Sequence, residues 1–176
     1  MTTAIMGQNI WAGFKPLRRT IVFLVPSTVM VPAHSGMSAQ LESEDPTDLL
    51  RYVDSNISRL RRLAKTDGSV PVPPAVEQKL RRLLAHCASP SAVFPAVTST
   101  ERGGAHLYWR AGEQSIEVLL ENAHEFYVRI ATHAGDTKFE QEGVGDLPSA
   151  EIGAALADLS NRVARANPEW RSLFSL

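Results

Sequence analysis

From Leu49 onward the apolar side chains fall into a regular order. Leu49, Val53, Ile57, Leu60 and Ala64 recur at spacings of three and four, the interval that places side chains on one face of an α-helix. Asp45 is positioned to cap this helix, Pro46 suits its first turn, and Asp48 sets a carboxylate near the positive end of the helix dipole. Asp67-Gly68 ends it. The connector Val70-Pro71-Val72-Pro73-Pro74 leads into a second helix with Val76, Leu80, Leu83 and Leu84 on its inner side, and Ser89-Pro90 stops that one. Residues 91–103 read as an extended linker, kept out of helix by Pro95.

Beyond the linker the period shortens to two. Ala105–Arg110, Ser115–Glu121, Glu125–Ala131 and Thr137–Glu142 are four short strand-like runs, separated by the turn formers Gly112, Asn122 and Gly135-Asp136. Alternation predicts that Leu107, Trp109, Ile116, Val118, Leu120, Phe126, Val128 and Ile130 are buried. It sends His106, Tyr108, Arg110, Glu117, Glu121, Tyr127 and Arg129 to the opposite face. A last helix carries Ile152, Leu156, Leu159 and Val163 as its stripe, with Pro148 near its start, and an apolar tail with Trp170, Leu173 and Phe174 follows. The expected fold is therefore α+β: two N-terminal helices, a four-stranded antiparallel meander and one C-terminal helix, packed in two layers. Residues 37–90 supply the helical part and 104–176 the meander with its helix, together forming one domain.

Residues 1–36 do not share this pattern. Lys15, Arg18 and Arg19 precede the apolar run Thr20–Val31, and Val31-Pro32-Ala33 offers small residues near a cleavage point, which is the order of an export signal. The run is too short to span a bilayer, and Pro26 and Pro32 break it as a helix. Two other readings stand beside the signal: Thr20–Val25 as a β-strand, and translation beginning at Met37, where the composition turns acidic and helix-forming. The last is favoured, and residues from Met37 are taken as the working protein, in the cytoplasm. Export is the alternative if residues 15–35 act as a signal.

Charge sharpens the division. The formal net charge of −1 resolves into +3 over residues 1–36, +1 over 37–90 and −5 over 91–176. An acidic C-terminal half is not tuned as a whole for phosphate backbones. The single Cys87 excludes an intramolecular disulfide and any multi-cysteine metal site.

The stretch GGAHLYWRAGEQSIEVLLENAHEFYV (Gly103–Val128) resembles small uncharacterised bacterial proteins in which Gly-Gly, a short strand ending in Trp and a Leu/Val-Glu strand form a meander. The resemblance covers about the middle third of the working chain. It implies a bacterial protein from a compact operon, the non-catalytic partner of a toxin-like or defence gene, and it carries no active-site residues over.

Three kinds of chemistry compete for the remaining side chains. A catalytic reading uses His106, His124 or His133 with Glu117 or Glu125, since a histidine beside a carboxylate is the smallest general acid–base unit. Alternation puts His106 and Glu117 on one face, but no nucleophile elbow, metal-spaced histidine pair or phosphate loop accompanies them. Adjacent His86-Cys87 is poor ligand geometry on a helix, where neighbours point about 100° apart, so Cys87 reads as a structural thiol and neither metal nor cofactor is expected. A nucleic-acid reading rests on RLRRLA and KLRRLLA, which place Arg59, Arg61, Arg62, Lys79, Arg81 and Arg82 along two helices. The plainer reading makes these cations solvated outer faces, with Leu60, Leu63, Leu80 and Leu83 turned inward. The third reading is a protein partner. Tyr108, Arg110, Tyr127 and Arg129 share the outer face of the meander, and Trp170 and Phe174 offer a second contact if the tail is not packed on the domain's own core. The favoured expectation is a non-catalytic protein-binding module of antitoxin, immunity or accessory type, with self-association left open. Nucleic-acid binding ranks second and a small hydrolase centred on His106 and Glu117 third.

Overall fold

The computed structural model of the protein describes residues 47–132 and 134–174. The expectations for residues 1–36, the capping roles of Asp45 and Pro46, and the place of His133 lie outside them. The described chain runs α1 (Thr47–Asp67), α2 (Pro74–Cys87), β1 (Ala96–Ser99), β2 (Ala105–Ala111), β3 (Gln114–Leu120), β4 (Glu125–Ala131), β5 (Thr137–Val144) and α3 (Ser149–Ala166), then a 3₁₀ turn (Trp170–Leu173). The α+β class is as expected, but the sheet has five strands rather than four. It is an antiparallel meander in the order β1-β2-β3-β4-β5.

The helices form where the apolar spacing places them. Leu49, Val53, Ile57 and Ala64 are buried along α1, and Val76, Leu80, Leu83 and Leu84 along α2. Leu63 departs from its expected inward direction and is 50% exposed. It neighbours Ala64, which holds the buried stripe, and successive residues on a helix diverge by about 100°. In α3, Ile152, Leu156 and Leu159 face the core. No described helix is long and apolar enough to cross a membrane.

In the sheet, all eight side chains assigned inward by alternation are buried, and they join the helical stripes in one core. Glu121 is the exception to the outward set, being buried with 6% exposure. Strand β3 ends at Leu120, so the two-residue rule no longer governs its successor. The hairpin between β2 and β3 closes with two residues, since Ala111 pairs with Gln114, and Gly112 supplies the positive φ of 62° that its turn requires. A side chain at Gly104 would run into the Leu120 carbonyl and Thr100, which accounts for half of the Gly-Gly pair as close backbone packing.

The linker expected over 91–103 contains the fifth strand. Ala96 to Ser99 pair with Tyr108 to Ala105 in antiparallel register. Four residues are too few for periodicity to reveal, and Pro95 is tolerated because it precedes the strand. What brings the segment onto the sheet is burial of Ala92, Val93 and Phe94 and a double clamp on the backbone of one residue. The Val93 N–H donates to Ser160 Oγ of α3 at 3.1 Å, and the Val93 carbonyl accepts from Trp109 Nε1 of β2 at 2.9 Å. Phe94 then stacks on Tyr52 of α1 at 4.7 Å and meets Trp170 edge-on at 5.3 Å. Replacing Ser160 by Ala leaves the Val93 N–H buried without an acceptor. It should lower unfolding stability by about 1–3 kcal/mol, read as a reduced denaturant midpoint at unchanged slope, whereas Leu63→Ala should change it by less than about 0.5 kcal/mol.

Candidate functional site

With the apolar face of the sheet turned to the helical core, its other face is left as a polar surface. Register builds that surface in two rows. One runs Ala96, Tyr108, Glu117, Arg129, Glu140, and the next runs Thr98, His106, Leu119, Tyr127, Glu142. The structure therefore brings Tyr108, Tyr127 and Arg129 of the expected partner-binding set onto one face, together with the His106–Glu117 pair. Arg110 lies one position beyond the rows at the end of β2, where its Nε donates to the Gly112 carbonyl at 3.0 Å.

Contacts between β4 and β5 hold this surface in place. Tyr127 donates its hydroxyl to Glu140 Oε1 at 2.8 Å, and Arg129 donates from Nε and Nη2 to Thr137 Oγ1 at 3.3 Å. Burial raises the Tyr127 phenol to about 12, assisted by its hydrogen bond to Glu140 and by the negative charges of Glu140 and Glu117. It therefore stays protonated and donating well into the alkaline range. At the centre, His106 Nε2 lies 3.0 Å from Glu117 Oε1, though not along a linear N–H···O direction. His106 Nδ1 is 3.5 Å from Thr98 Oγ1, and the imidazole centre sits 6.1 Å from the Tyr108 ring. The contact with His106 holds the Glu117 carboxyl below its ordinary value, with Arg129 adding to the pull against a desolvation penalty.

Thr98 was not among the residues singled out from sequence. It reaches this group only because β1 exists, and its one legible signal is the position opposite His106 once that strand is known.

The tail lies elsewhere. Trp170 is 6% exposed and Phe174 half-buried, and both pack on Phe94 in the domain's own core, Phe174 at 5.2 Å. Trp170 is therefore a core residue rather than an exposed second contact. The tail is held further by Arg171, which donates to the Pro90 carbonyl.

The six basic residues of the helices divide. Arg61 Nη1 contacts Glu77 at 2.6 Å while its Nε donates to the Val72 carbonyl at 2.8 Å. Arg81 bridges Asp54 and Glu77, both at 2.9 Å. Despite that pairing Asp54 titrates above its ordinary value, because burial and the second negative charge of Glu77 outweigh Arg81. Lys79 donates to the carbonyls of Gly145 and His124 at 2.6 and 3.1 Å and lies over the Phe126 ring. Burial lowers its pKa. Arg59 donates to Asn56 at 3.1 Å, and Arg59, Arg62 and Arg82 are exposed. Three of the six cations thus brace α1, α2 and the end of the sheet.

The other candidates are placed as follows. His124 in the β3–β4 turn and Glu125 at the start of β4 are exposed, and Asn122 Oδ1 accepts from both backbone N–H groups. Cys87 is half-buried with its Sγ 3.0 Å from the Ser149 carbonyl, and burial pushes the thiol up to about 11. His86 is exposed and its Nδ1 lies 2.6 Å from the Arg82 carbonyl. Among the described residues no three His, Cys, Asp or Glu side chains converge as a metal site would require.

No family model, curated protein or solved structure matches the chain.

One consequence is measurable in the protein as it stands. Because the folded state lowers the Glu117 pKa below 4.5, its contribution is fully present above that value and is lost as pH falls through the lower folded-state value. Stability measured from pH 6 down to pH 3 should therefore fall more steeply in the native protein than in Glu117→Gln.

Proposed function

We propose that the protein is a binding module that docks another protein on the face of its sheet that no described helix covers. The observation that carries this reading is the pair of ordered rows. Tyr127 is fixed by Glu140 and Arg129 by Thr137, with Tyr108 in the same row as Arg129. Tyrosine and arginine bury large area while keeping hydrogen-bonding capacity, and they are enriched among residues that dominate interface energies. Holding them in place before contact reduces the ordering cost of association. The charges specify the partner's chemistry: carboxylates opposite Arg110 and Arg129, and cations opposite Glu140 and Glu142. An immunity-, antitoxin- or accessory-type role is the biological form we favour for such a module.

The nucleic-acid alternative has less to draw on. Arg61 and Arg81 are neutralised by Glu77 and Asp54, and Lys79 is committed to backbone carbonyls. Arg59, Arg62 and Arg82 remain exposed. Counterion release from so few contacts gives only a shallow salt dependence.

A photo-crosslinking amino acid placed at Tyr108 should yield an adduct with one protein in cells of the source organism, and the same group at Arg82 should yield none. Tyr108→Ala with Arg129→Ala should weaken that association by at least about 30-fold, corresponding to roughly 2 kcal/mol, with the thermal unfolding curve unchanged. Crosslinking from Arg82 alone, or an association unaffected by the double substitution, would overturn the reading.

A further inference from the structure

The contact between β1 and β2 adds a chemical possibility that the docking role does not use. Thr98, His106 and Glu117 stand on three successive strands of the open face. Thr98 is directly opposite His106 in the ladder. Its Oγ1 lies 3.5 Å from Nδ1, and the other ring nitrogen lies 3.0 Å from Glu117 Oε1. A hydroxyl within reach of an imidazole, which is itself oriented by a carboxylate, is the arrangement that activates a weak oxygen nucleophile. In unliganded enzymes such contacts are often long or bent and tighten around the substrate, as these two are. The carboxylate is held ionised by its surroundings, since Glu117 titrates below its ordinary range. Thr98 is exposed, so an acyl group can approach it from solvent or from a docked molecule.

We propose that Thr98 is an acyl-accepting nucleophile, with His106 as its general base and Glu117 as the residue that positions the imidazole. The substrates are activated acyl esters. In the tautomer of His106 that carries its proton on Nε2, beside Glu117, Nδ1 is free to accept. Thr98 Oγ attacks the ester carbonyl carbon while Nδ1 takes the hydroxyl proton. The bond from that carbon to the leaving oxygen then breaks, and the proton passes from Nδ1 to the departing alcohol. Water attacks the resulting threonine ester in the same manner, giving one proton to Nδ1. The carboxylic acid departs and the proton returns to Thr98 Oγ, so no oxidant or cofactor enters the balance. Tyr108, on the same strand and face as His106, is the neighbouring hydroxyl from which the carbonyl oxygen can draw a hydrogen bond as it gains charge.

The full chain would be incubated with p-nitrophenyl acetate, quenched with acid, and mapped by peptide mass spectrometry while release of nitrophenol is followed. The expected result is one acetyl group on Thr98. It should be absent in Thr98→Val, which keeps a β-branched residue in the strand, and should form about 100-fold more slowly in His106→Asn. Glu117→Gln should slow acetylation about tenfold, and Glu117→Asp should recover part of that loss, as a positioning carboxylate does and a merely structural residue does not. Acetyl groups confined to lysines or the amino terminus would overturn the proposal. So would a Thr98 adduct that forms equally fast in His106→Asn. None of these results bears on partner docking, which is read by crosslinking and not by acetylation.

Discussion

The backbone of Val93 is the point on which the arrangement turns. Its N–H is held by Ser160 of α3 and its carbonyl by Trp109 of β2, so the backbone of one buried residue joins the helical layer to the sheet. A buried residue must have both backbone groups satisfied. Here that requirement fixes the path of the chain between α2 and β1. Phe94 follows immediately and collects Tyr52, Trp170 and Phe174 around itself, which draws in α1 and the tail. Only with this segment pinned can Ala96–Ser99 lie along β2.

From that constraint the asymmetry of the molecule follows. The core gathers the buried residues of all three helices and of the inner sheet face, and the opposite face carries polar rows. Those rows are ordered by cross-strand contacts rather than by burial, the usual device on a half-exposed antiparallel sheet. The helices meanwhile use several of their cations internally. Arg61 and Arg81 converge on Glu77 between α1 and α2, and Lys79 seals the end of β4 and β5 through two carbonyls. Replacing such a cation therefore disturbs packing, which separates these positions from the exposed Arg59, Arg62 and Arg82. The sheet face is different, because Tyr108 and Arg129 lie outside the core.

Much of this was legible in the residues. Spacings of three and four located the buried sides of α1, α2 and α3, and alternation located eight inward residues of β2, β3 and β4 while leaving out the buried Ala105, Gln114 and Ala131, because in both cases the period of the backbone is written directly in the large apolar positions. Periodicity failed where elements are short or end. Ala96–Ser99 is too brief to show alternation, and Glu121 lies just past the strand whose rule was applied to it. Leu63 followed composition rather than helical angle. Trp170 could not be assigned from sequence, since an apolar tail serves equally as core or as contact until its neighbours are known. Missing β1 also hid Thr98. The site in sequence was a histidine and a carboxylate, and the hydroxyl beside them depended on a tertiary pairing secured by Val93.

The central claim is that one face of the sheet is closed by helices while no described element covers the other. Hydroxyl-radical footprinting of the purified chain, read residue by residue, tests it most directly. The account predicts oxidation of Tyr108 and Tyr127 and protection of Trp109 and Phe126, which alternate with them along β2 and β4. Protection of Tyr108 and Tyr127 equal to that of Trp109 in the monomer would contradict it, because the face would then already be covered.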